Sequence, residues 1–213
     1  MKTVEIIHLY KRIGKREILS DICAELESGK IYGFFGRNGS GKTMLFRAVC
    51  GLIKPTSGEI RIHGQTLHKD RSFPESVGVI IESPGFWEYY TGFQNLKQLA
   101  SIKRKISDQQ IKESIQRVGL DPEDDRVYKK YSLGMKQRLA IAQAIMEEPD
   151  LLVLDEPTNA LDEEGVELVR NILLEEKKRG ATILIASHNK EDIELLSDEK
   201  FRISNGRLEQ FHG

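Results

Sequence analysis

Residues 36–43 read GRNGSGKT and match the pattern Gly-x-x-x-x-Gly-Lys-Ser/Thr. The segment KIYGFFG before it is predicted to be a strand, and KTMLFRAVCGL after it a helix that ends at Gly51. In such a unit glycines let the backbone wrap phosphate oxygens, lysine supplies positive charge, and the final hydroxyl faces Mg²⁺. A glycine-rich turn with an incidental lysine is the weaker interpretation. The segment therefore predicts a phosphate-binding loop.

Two carboxylates end a second predicted strand, LLVLDEP, at Asp155 and Glu156. Asp155 is expected to hold Mg²⁺ directly or through water. Because adjacent strand residues point to opposite faces, Glu156 is expected to orient or deprotonate the water that attacks a γ-phosphate. His188 follows another apolar segment, ATILIAS, at the sheet edge where ligands bind in open α/β folds. It is a candidate donor to the γ-phosphate and a candidate orienter of Glu156.

The pattern along the chain is typical of the α/β class, because apolar strands alternate with helices. It predicts a P-loop NTPase core with a mostly parallel sheet, an antiparallel β N-terminal subdomain, and a helical subdomain. We expect one domain, 1–213, with the helical part inserted at roughly 85–147. Within it, Asp108 is expected to cap a helix, GEIRIHGQTL reads as one edge strand, and Asn205-Gly206 predicts a hairpin.

Composition excludes several classes of protein. The net charge of −1 supplies no basic field for nucleic acid, so no nucleic-acid partner is expected. The two cysteines have no metal-site spacing and favour a reducing compartment. Since no signal-peptide core or bilayer-spanning run is found, we expect a cytoplasmic protein.

The helix predicted in YSLGMKQRLAIAQAIMEEPD, residues 131–150, has an unusual beginning. Ser132 and Gly134 stand at its tip, where better helix formers would hold the first turn. A helix N-terminus left open by small residues concentrates unpaired N–H groups and positive dipole. The tip therefore predicts a site for an anion.

The motifs GRNGSGKT, YSLGMKQRLAIA, LLVLDEPTNALD and ILIASHN together resemble the nucleotide-binding subunit of ABC transporters, in order and spacing, over nearly the whole chain. YSLGM aligns with the family signature LSGGQ, and retains its serine and second glycine as Ser132 and Gly134. This form is most similar to the bacitracin- and lantibiotic-resistance branch of bacterial exporters. The resemblance implies ATP hydrolysis with ATP and Mg²⁺ as cofactors.

The resemblance also implies partners. In the family the signature tip points at the γ-phosphate of ATP bound to the opposite subunit, so we expect a head-to-tail homodimer in the ATP state. Since the chain has no span of its own, transport requires a separate polytopic membrane subunit. That subunit is expected to hold the chain at the inner face of the cell membrane.

The motifs and the resemblance together assign the candidate residues. Catalytic candidates are Glu156, His188 and Glu82, and metal ligands are Thr43, Asp155 and Glu82. Glu82 stands where the family normally has a glutamine that contacts Mg²⁺ and the attacking water, so it adds negative charge there. Ile13, one residue before Gly14, stands where the family has its adenine-stacking aromatic. The predicted nucleotide contacts are Gly36, Arg37, Asn38, Gly39, Ser40, Gly41, Lys42, Thr43, Met44, Ile13, Ser132 and Gly134.

Three alternatives stay open at this point. The aromatic segment SPGFWEYYTGF, residues 83–93, either anchors the core and a loop or forms a groove for a coupling helix of the membrane subunit. The protein could instead be a soluble ABC ATPase that acts on a cytosolic assembly such as iron–sulfur scaffold proteins. A third possibility is an ATP-binding switch that barely hydrolyses, which Glu82 and the altered signature would then reflect.

Overall fold

The computed structural model describes residues 2–82, 85–188 and 190–211. Ser83 and Pro84 of the aromatic segment, and Asn189 of ILIASHN, lie outside the described residues. The strands are β1 (Lys2–Ile13), β2 (Arg16–Glu27), β3 (Ile31–Phe35), β4 (Ser57–Ile62), β5 (Gln65–Thr66), β6 (Val77–Ile80), β7 (Leu151–Asp155), β8 (Thr182–Ala186), β9 (Glu199–Ser204) and β10 (Arg207–Phe211). The helices are α1 (Lys42–Val49), α2 (Gly92–Lys103), α3 (Asp108–Arg117), α4 (Leu133–Ile145), α5 (Glu163–Arg179) and α6 (Lys190–Leu196).

A six-stranded sheet in the order β10-β9-β3-β8-β7-β6 positions the candidate site. Strands β9, β3, β8, β7 and β6 are parallel to their neighbours, and only the β9–β10 hairpin is antiparallel. The carboxyl ends of parallel strands lie at one edge of the sheet. Segments that follow β3, β6, β7 and β8 therefore meet there, although they are remote in sequence.

Both faces of this sheet are covered, as the continuous apolar strands require. Along β7, Leu152 and Leu154 pack into the core shared with α2–α5, whereas Leu151 and Val153 pack into the core shared with α1 and the other sheet. By this alternation Asp155, at the end of β7, belongs to the α1 side.

The N-terminal sheet is antiparallel, in the order β2-β1-β4-β5. The prediction of one edge strand in GEIRIHGQTL is wrong, because the chain turns after Ile62 and returns as β5. His63 and Gly64 make this turn with φ of 49° and 77°. This left-handed conformation cannot continue a strand, which is why the alternating pattern is split.

Helices α2, α3 and α4 lie between β6 and β7 in the chain, within the region predicted to be helical. The expectation that Asp108 caps α3 is wrong: Ser107 is the N-cap, accepts from the backbone N–H of Gln110, and Asp108 is the first helical residue. Gly78 in β6 lets α4 approach, because a Cβ there would lie 1.9 Å from the carbonyl oxygen of Ala144.

Within residues 2–82, 85–188 and 190–211, no helix combines the length and the apolar character needed to cross a bilayer.

Candidate active site

The phosphate-loop motif lies between β3 and α1, as predicted. Lys42 is buried, and its ammonium donates to the carbonyl oxygens of Gly36 at 2.8 Å and Arg37 at 3.4 Å. Among the described residues no side chain caps α1, whose N-cap is Gly41. A Cβ at Gly36 would lie 2.2 Å from the carbonyl oxygen of Ile203, so only glycine fits where the loop passes β9. The loop thus places Lys42 and the N-terminus of α1 beside the same cavity.

One polar atom of the loop indicates that a ligand belongs there. The hydroxyl oxygen of Ser40 is buried and has no hydrogen-bond partner within the described part of the chain. Buried hydroxyl groups are almost always hydrogen-bonded in folded proteins. An unpartnered hydroxyl beside exposed helix N–H groups fits a phosphate oxygen as its partner.

Two residues separated by 112 positions form the predicted metal site. The hydroxyl of Thr43, in the first turn of α1, donates to Oδ2 of Asp155 at 2.6 Å. A hydroxyl and a carboxylate are oxygen ligands of the kind Mg²⁺ takes beside substrate phosphates. The donor set therefore fits Mg²⁺.

Glu156 and His188 form a pair on the other side of the strand end. The carboxylate of Glu156 accepts from the backbone N–H of His188 at 3.0 Å, and its Oε2 lies 2.7 Å from Nδ1 of His188. Glu156 has φ of 53°, a strained value for a residue with a long side chain. Asp155 and Glu156 thus contact different partners, as expected, although Glu156 lies just beyond β7 and its left-handed backbone, not strand alternation, sets its direction.

A cavity of about 810 Å³ brings the loop and the strand ends together. It is lined by Ile18, Asn38, Gly39, Ser40, Gly41, Lys42, Thr43, Met44, Glu82, Tyr128, Leu133, Lys136, Gln137, Asp155, Glu156, Asn159 and Ala160. Gly36 and Arg37 are not lining residues, and contribute carbonyl oxygens to Lys42 instead. His188 reaches the site through its contact with Glu156.

Ile13 lies apart from this cavity. It is the last residue of β1, pairs with Arg16 beside the hairpin turn, and is 54% exposed, whereas Ile18 of β2 lines the cavity. Residues at the turn of the β1–β2 hairpin lie away from the cavity. Ile18, which is further along β2, therefore faces the phosphate loop. A contact between Ile13 and a base stays a prediction.

Glu82 lines the cavity, but its carboxylate is engaged elsewhere. Oε1 of Glu82 accepts from Nη2 of Arg47, on α1, at 2.7 Å. Glu82 has φ of 61°, directly after Ile81, which follows β6. The negative charge that this position adds near the phosphate loop is thus matched by a cation that the sequence motifs do not reveal.

The predicted anion-binding tip opens only in part onto the space of the loop. Leu133 lines the loop cavity, whereas Ser132 and Gly134 line an adjoining depression of about 520 Å³, together with Arg138 and Asp162. The tip is also less open than expected, since the hydroxyl of Ser132 accepts from the N–H of Met135 at 3.1 Å. The next side chain, Leu133, is 73% exposed.

Sequence reasoning missed several residues that hold the site together. Gln137 donates to the carbonyl oxygen of Pro157 at 2.8 Å and ties α4 to the segment after β7. Asp192 is fully buried, and accepts from Thr158 at 2.6 Å and from Nη2 of Arg170 at 2.6 Å. This contact links the acidic strand end to the helix after His188. Residues such as Asp192 belong to no recognisable sequence motif, so the sequence holds no signal that could have revealed their contacts.

The segment after Glu156 also carries a capping carboxylate. Asp162 is the N-cap of α5 and accepts from the N–H of Gly165 at 2.9 Å. This hydrogen bond holds the pKa of Asp162 below its ordinary value, and Arg138 adds to the effect. Asp162 therefore stays ionised beside the signature tip.

The sequence profile of the ABC transporter family matches residues 19–159, from β2 through the phosphate loop, α4 and the acidic strand end. The chain belongs to the ABC transporter family. This ABC transporter chain is an ATPase that binds ATP. The predicted resemblance and the predicted α/β P-loop fold are both confirmed.

Known proteins similar to this ABC transporter chain share most of its length. An uncharacterized ABC transporter ATP-binding protein, YybJ of Bacillus subtilis, is 57% identical over 206 residues, which are 97% of this chain and 94% of YybJ. The bacitracin transport ATP-binding protein BcrA of Enterococcus faecalis is 41% identical over 197 residues. That alignment covers 92% of this chain and 64% of BcrA, so the chain spans less than two thirds of this relative.

A solved structure shows the same fold. It is a dimeric, post-hydrolysis ATP-binding cassette bound to ADP and Pi, with a TM-score of 0.87 and 19% identity. The match covers 99% of each chain.

Proposed function

We propose that two copies of this chain bind two ATP molecules head to tail, and that hydrolysis powers a membrane exporter of a peptide antibiotic or another hydrophobic compound. The chain would act at the cytoplasmic face of the membrane, as one domain with a helical subdomain at roughly 85–147. The observation that carries the proposal is that Ser132 and Gly134 line a depression beside the phosphate-loop cavity and do not line the cavity itself. Within one chain, these two residues therefore do not face the space in which the loop would hold phosphate.

A second copy resolves this separation. If two copies face each other about a two-fold axis, the tip of each lies against the loop of the other. The N–H groups at the tip then reach the γ-phosphate only when ATP is present and the copies are closed. Hydrolysis removes that attraction and lets them part.

The proposed chemistry uses groups of this chain at stated atoms. Lys42 and the N-terminus of α1 hold the phosphates, and Glu156 orients or deprotonates the attacking water. His188 holds the carboxylate of Glu156 through its backbone N–H and Nδ1. Mg²⁺ would be held by Thr43 and Asp155, with Glu82 as a further ligand once its ion pair with Arg47 opens, and would neutralise phosphate charge.

The exporter assignment rests on the relatives and on one exposed surface. BcrA, at 41% identity, is named for bacitracin transport. Trp87, Tyr89 and Tyr90 form what we name the aromatic surface, and they are 50%, 73% and 40% exposed. Phe86, in contrast, is buried against Tyr128, with ring centroids 5.2 Å apart. The segment thus both anchors the core and leaves aromatic rings in solvent, where a partner helix can cover them.

Affinity purification from detergent-solubilised native membranes tests the proposal. We expect a polytopic membrane protein to co-purify at near-equal amounts. Recovery of the chain only from the soluble fraction, with iron–sulfur scaffold proteins or another cytosolic assembly, would contradict the exporter assignment.

The Trp87→Ala/Tyr89→Ala variant is expected to lose the membrane protein while keeping ATP binding. Aromatic anchors at interfaces are commonly worth about 2 kcal/mol or more each, which is about thirtyfold in affinity per anchor, so the affinity of the double variant should fall by about a thousandfold if the two effects add. Leu195→Ala is the control. Leu195 is 62% exposed on α6, so this substitution also removes an exposed apolar side chain, but outside the aromatic surface. Equal recovery with all three chains would rule out docking at the aromatic surface.

Substitution of Glu82 tests its place beside the metal. We expect Glu82→Gln to relax the dependence of turnover on Mg²⁺ and to raise turnover, because one negative charge beside the triphosphate is removed. Arg47→Met alone should weaken ATP binding by up to about fivefold, as expected for a largely exposed ion pair, and the double variant should recover it. The hypothesis fails if Glu82→Gln leaves both the Mg²⁺ titration and turnover unchanged.

A further inference from the structure

Three side chains with different metal-binding atoms converge on the outer face of the β1–β2 pair. Nδ1 of His8 lies 2.7 Å from Oδ1 of Asp21 and 3.6 Å from Sγ of Cys23. All three ligand atoms lie within 4.8 Å of one another, and all three residues are exposed. None of them lines the nucleotide cavity. We name this group the strand-pair cluster.

An irregularity in the strand pair brings them together. Ile6 pairs with Ala24 but Leu9 pairs with Ile22, so β1 contains one extra residue at this point. His8 and Asp21 both have left-handed φ, of 45° and 53°. Asp21 and Cys23 are two positions apart on β2 and share a face. The bulge turns His8 toward that face.

Such bulges re-aim side chains, and left-handed backbone at non-glycine residues is costly. Leu9 and Ile22, beside the cluster, are fully buried and hold the opposite face of the strands in the core. The cluster is therefore presented by a backbone that packing of the other face keeps in place.

The donor set is an imidazole nitrogen, a carboxylate oxygen and a thiol sulfur, which suits Zn²⁺ and similar borderline divalent ions. Tetrahedral zinc places its ligand atoms about 3.3–3.7 Å apart, so small side-chain rotations complete the geometry. His8 and Asp21 share a hydrogen bond through Nδ1 of His8, which would give way when that nitrogen binds the ion. Tyr10 also hydrogen-bonds to Asp21 and is an outer partner of the kind that orients metal ligands.

We infer that His8, Asp21 and Cys23 form a site for a divalent transition-metal ion of the zinc type, separate from the nucleotide site. On binding, the thiol of Cys23 releases its proton to solvent and a sulfur–metal bond forms, with no change of oxidation state. The three protein ligands leave a fourth position open to water or to a group of another molecule.

Cobalt(II) is the probe, because thiolate coordination to cobalt produces a charge-transfer absorption that oxygen and nitrogen ligands do not. The chain is stripped of metal with a chelator and titrated with Co²⁺ in the absence of nucleotide. Any signal from sulfur must come from Cys23, since the only other cysteine, Cys50, is buried and its burial raises its pKa to about 12. Co²⁺ at Asp155 or Glu156 would give no sulfur band.

We expect one Co²⁺ per chain with the sulfur band, displaced by one equivalent of Zn²⁺. Cys23→Ser should abolish the band, and His8→Asn and Asp21→Asn should each weaken binding by at least about a hundredfold. Asn tolerates the left-handed backbone at both positions. His63→Asn is the matched control, because His63 is also exposed with left-handed φ, at 49°, and lies outside the cluster.

Absence of the sulfur band would overturn the inference and leave His8 and Asp21 as a simple cross-strand pair. A band that survives His8→Asn and Asp21→Asn unchanged would overturn it as well, since Cys23 would then bind cobalt alone. The readout does not involve ATP, so failure here and failure of the proposed exporter function are distinguishable.

Discussion

A chain that carries Glu156→Gln is expected to bind ATP and to close into a dimer, but to hydrolyse ATP about a hundredfold to ten-thousandfold more slowly. The amide keeps the size of the side chain and can still pair with His188, whose Nδ1 lies 2.7 Å from Oε2 of Glu156. It cannot accept a proton from the attacking water. Fold and binding should therefore persist while chemistry stops.

Phosphate release at saturating ATP measures turnover, and light scattering with and without ATP measures dimerisation. The matched control is Glu164→Gln, which makes the same change at an exposed position in the first turn of α5. Equal and negligible turnover in the wild-type and Glu156→Gln chains would instead favour an ATP-binding switch that barely hydrolyses.

Mixing two inactive chains is expected to restore activity, if the sites are shared head to tail. Lys42→Ala removes the ammonium from the phosphate loop, and Gly134→Asp places a carboxylate at the signature tip. Each variant alone should lose turnover by about a hundredfold or more, because donors and charges at a reacting phosphate have effects of this size. A mixed dimer holds one site with intact Lys42 from one chain and intact Gly134 from the other.

Gly134→Asp should leave the fold intact. A Cβ at this position approaches only the carbonyl oxygen of Ala160, at 3.2 Å, and Leu161. An acidic residue in the first turn of α4 also complements the helix dipole. The loss of turnover would therefore be caused by the negative charge at the tip. Normal ATP binding by the Gly134→Asp chain on its own would show that its phosphate loop is intact.

An equal mixture should recover about a quarter of wild-type turnover, since half of the dimers are mixed and each holds one of two sites intact. A mixture of Lys42→Ala with Glu156→Gln is the control. It should recover nothing, because both residues serve the site on their own chain. Absence of recovery in the first mixture would contradict head-to-tail sharing.

Much of the candidate site is encoded locally, and the sequence predicts those parts. The phosphate loop needs glycines at defined positions between a strand and a helix, and Lys42 and Thr43 follow from the same pattern. The sequence predicts different roles for Asp155 and Glu156, because adjacent strand residues point to opposite faces. The structure places these side chains on different partners, Thr43 and His188.

Other features depend on contacts between distant segments. Arg47 belongs to no motif in the sequence, yet in the fold its Nη2 lies 2.7 Å from Oε1 of Glu82. Ile18 lines the cavity and Ile13 does not, although both flank the same turn. Ser107, not Asp108, caps α3, since either residue type can cap and the backbone path decides between them.

The sequence by itself determined the family, the loop that holds phosphate and the alternation of strands and helices. These are properties of backbone conformation over a few residues, which local residue types control. Only the tertiary structure decided that Ser132 and Gly134 line a depression beside the loop cavity and not the cavity itself, and that His8 meets Cys23 across a bulge. Strand order and register set these distances, and they follow from packing of the whole chain, which no short segment contains.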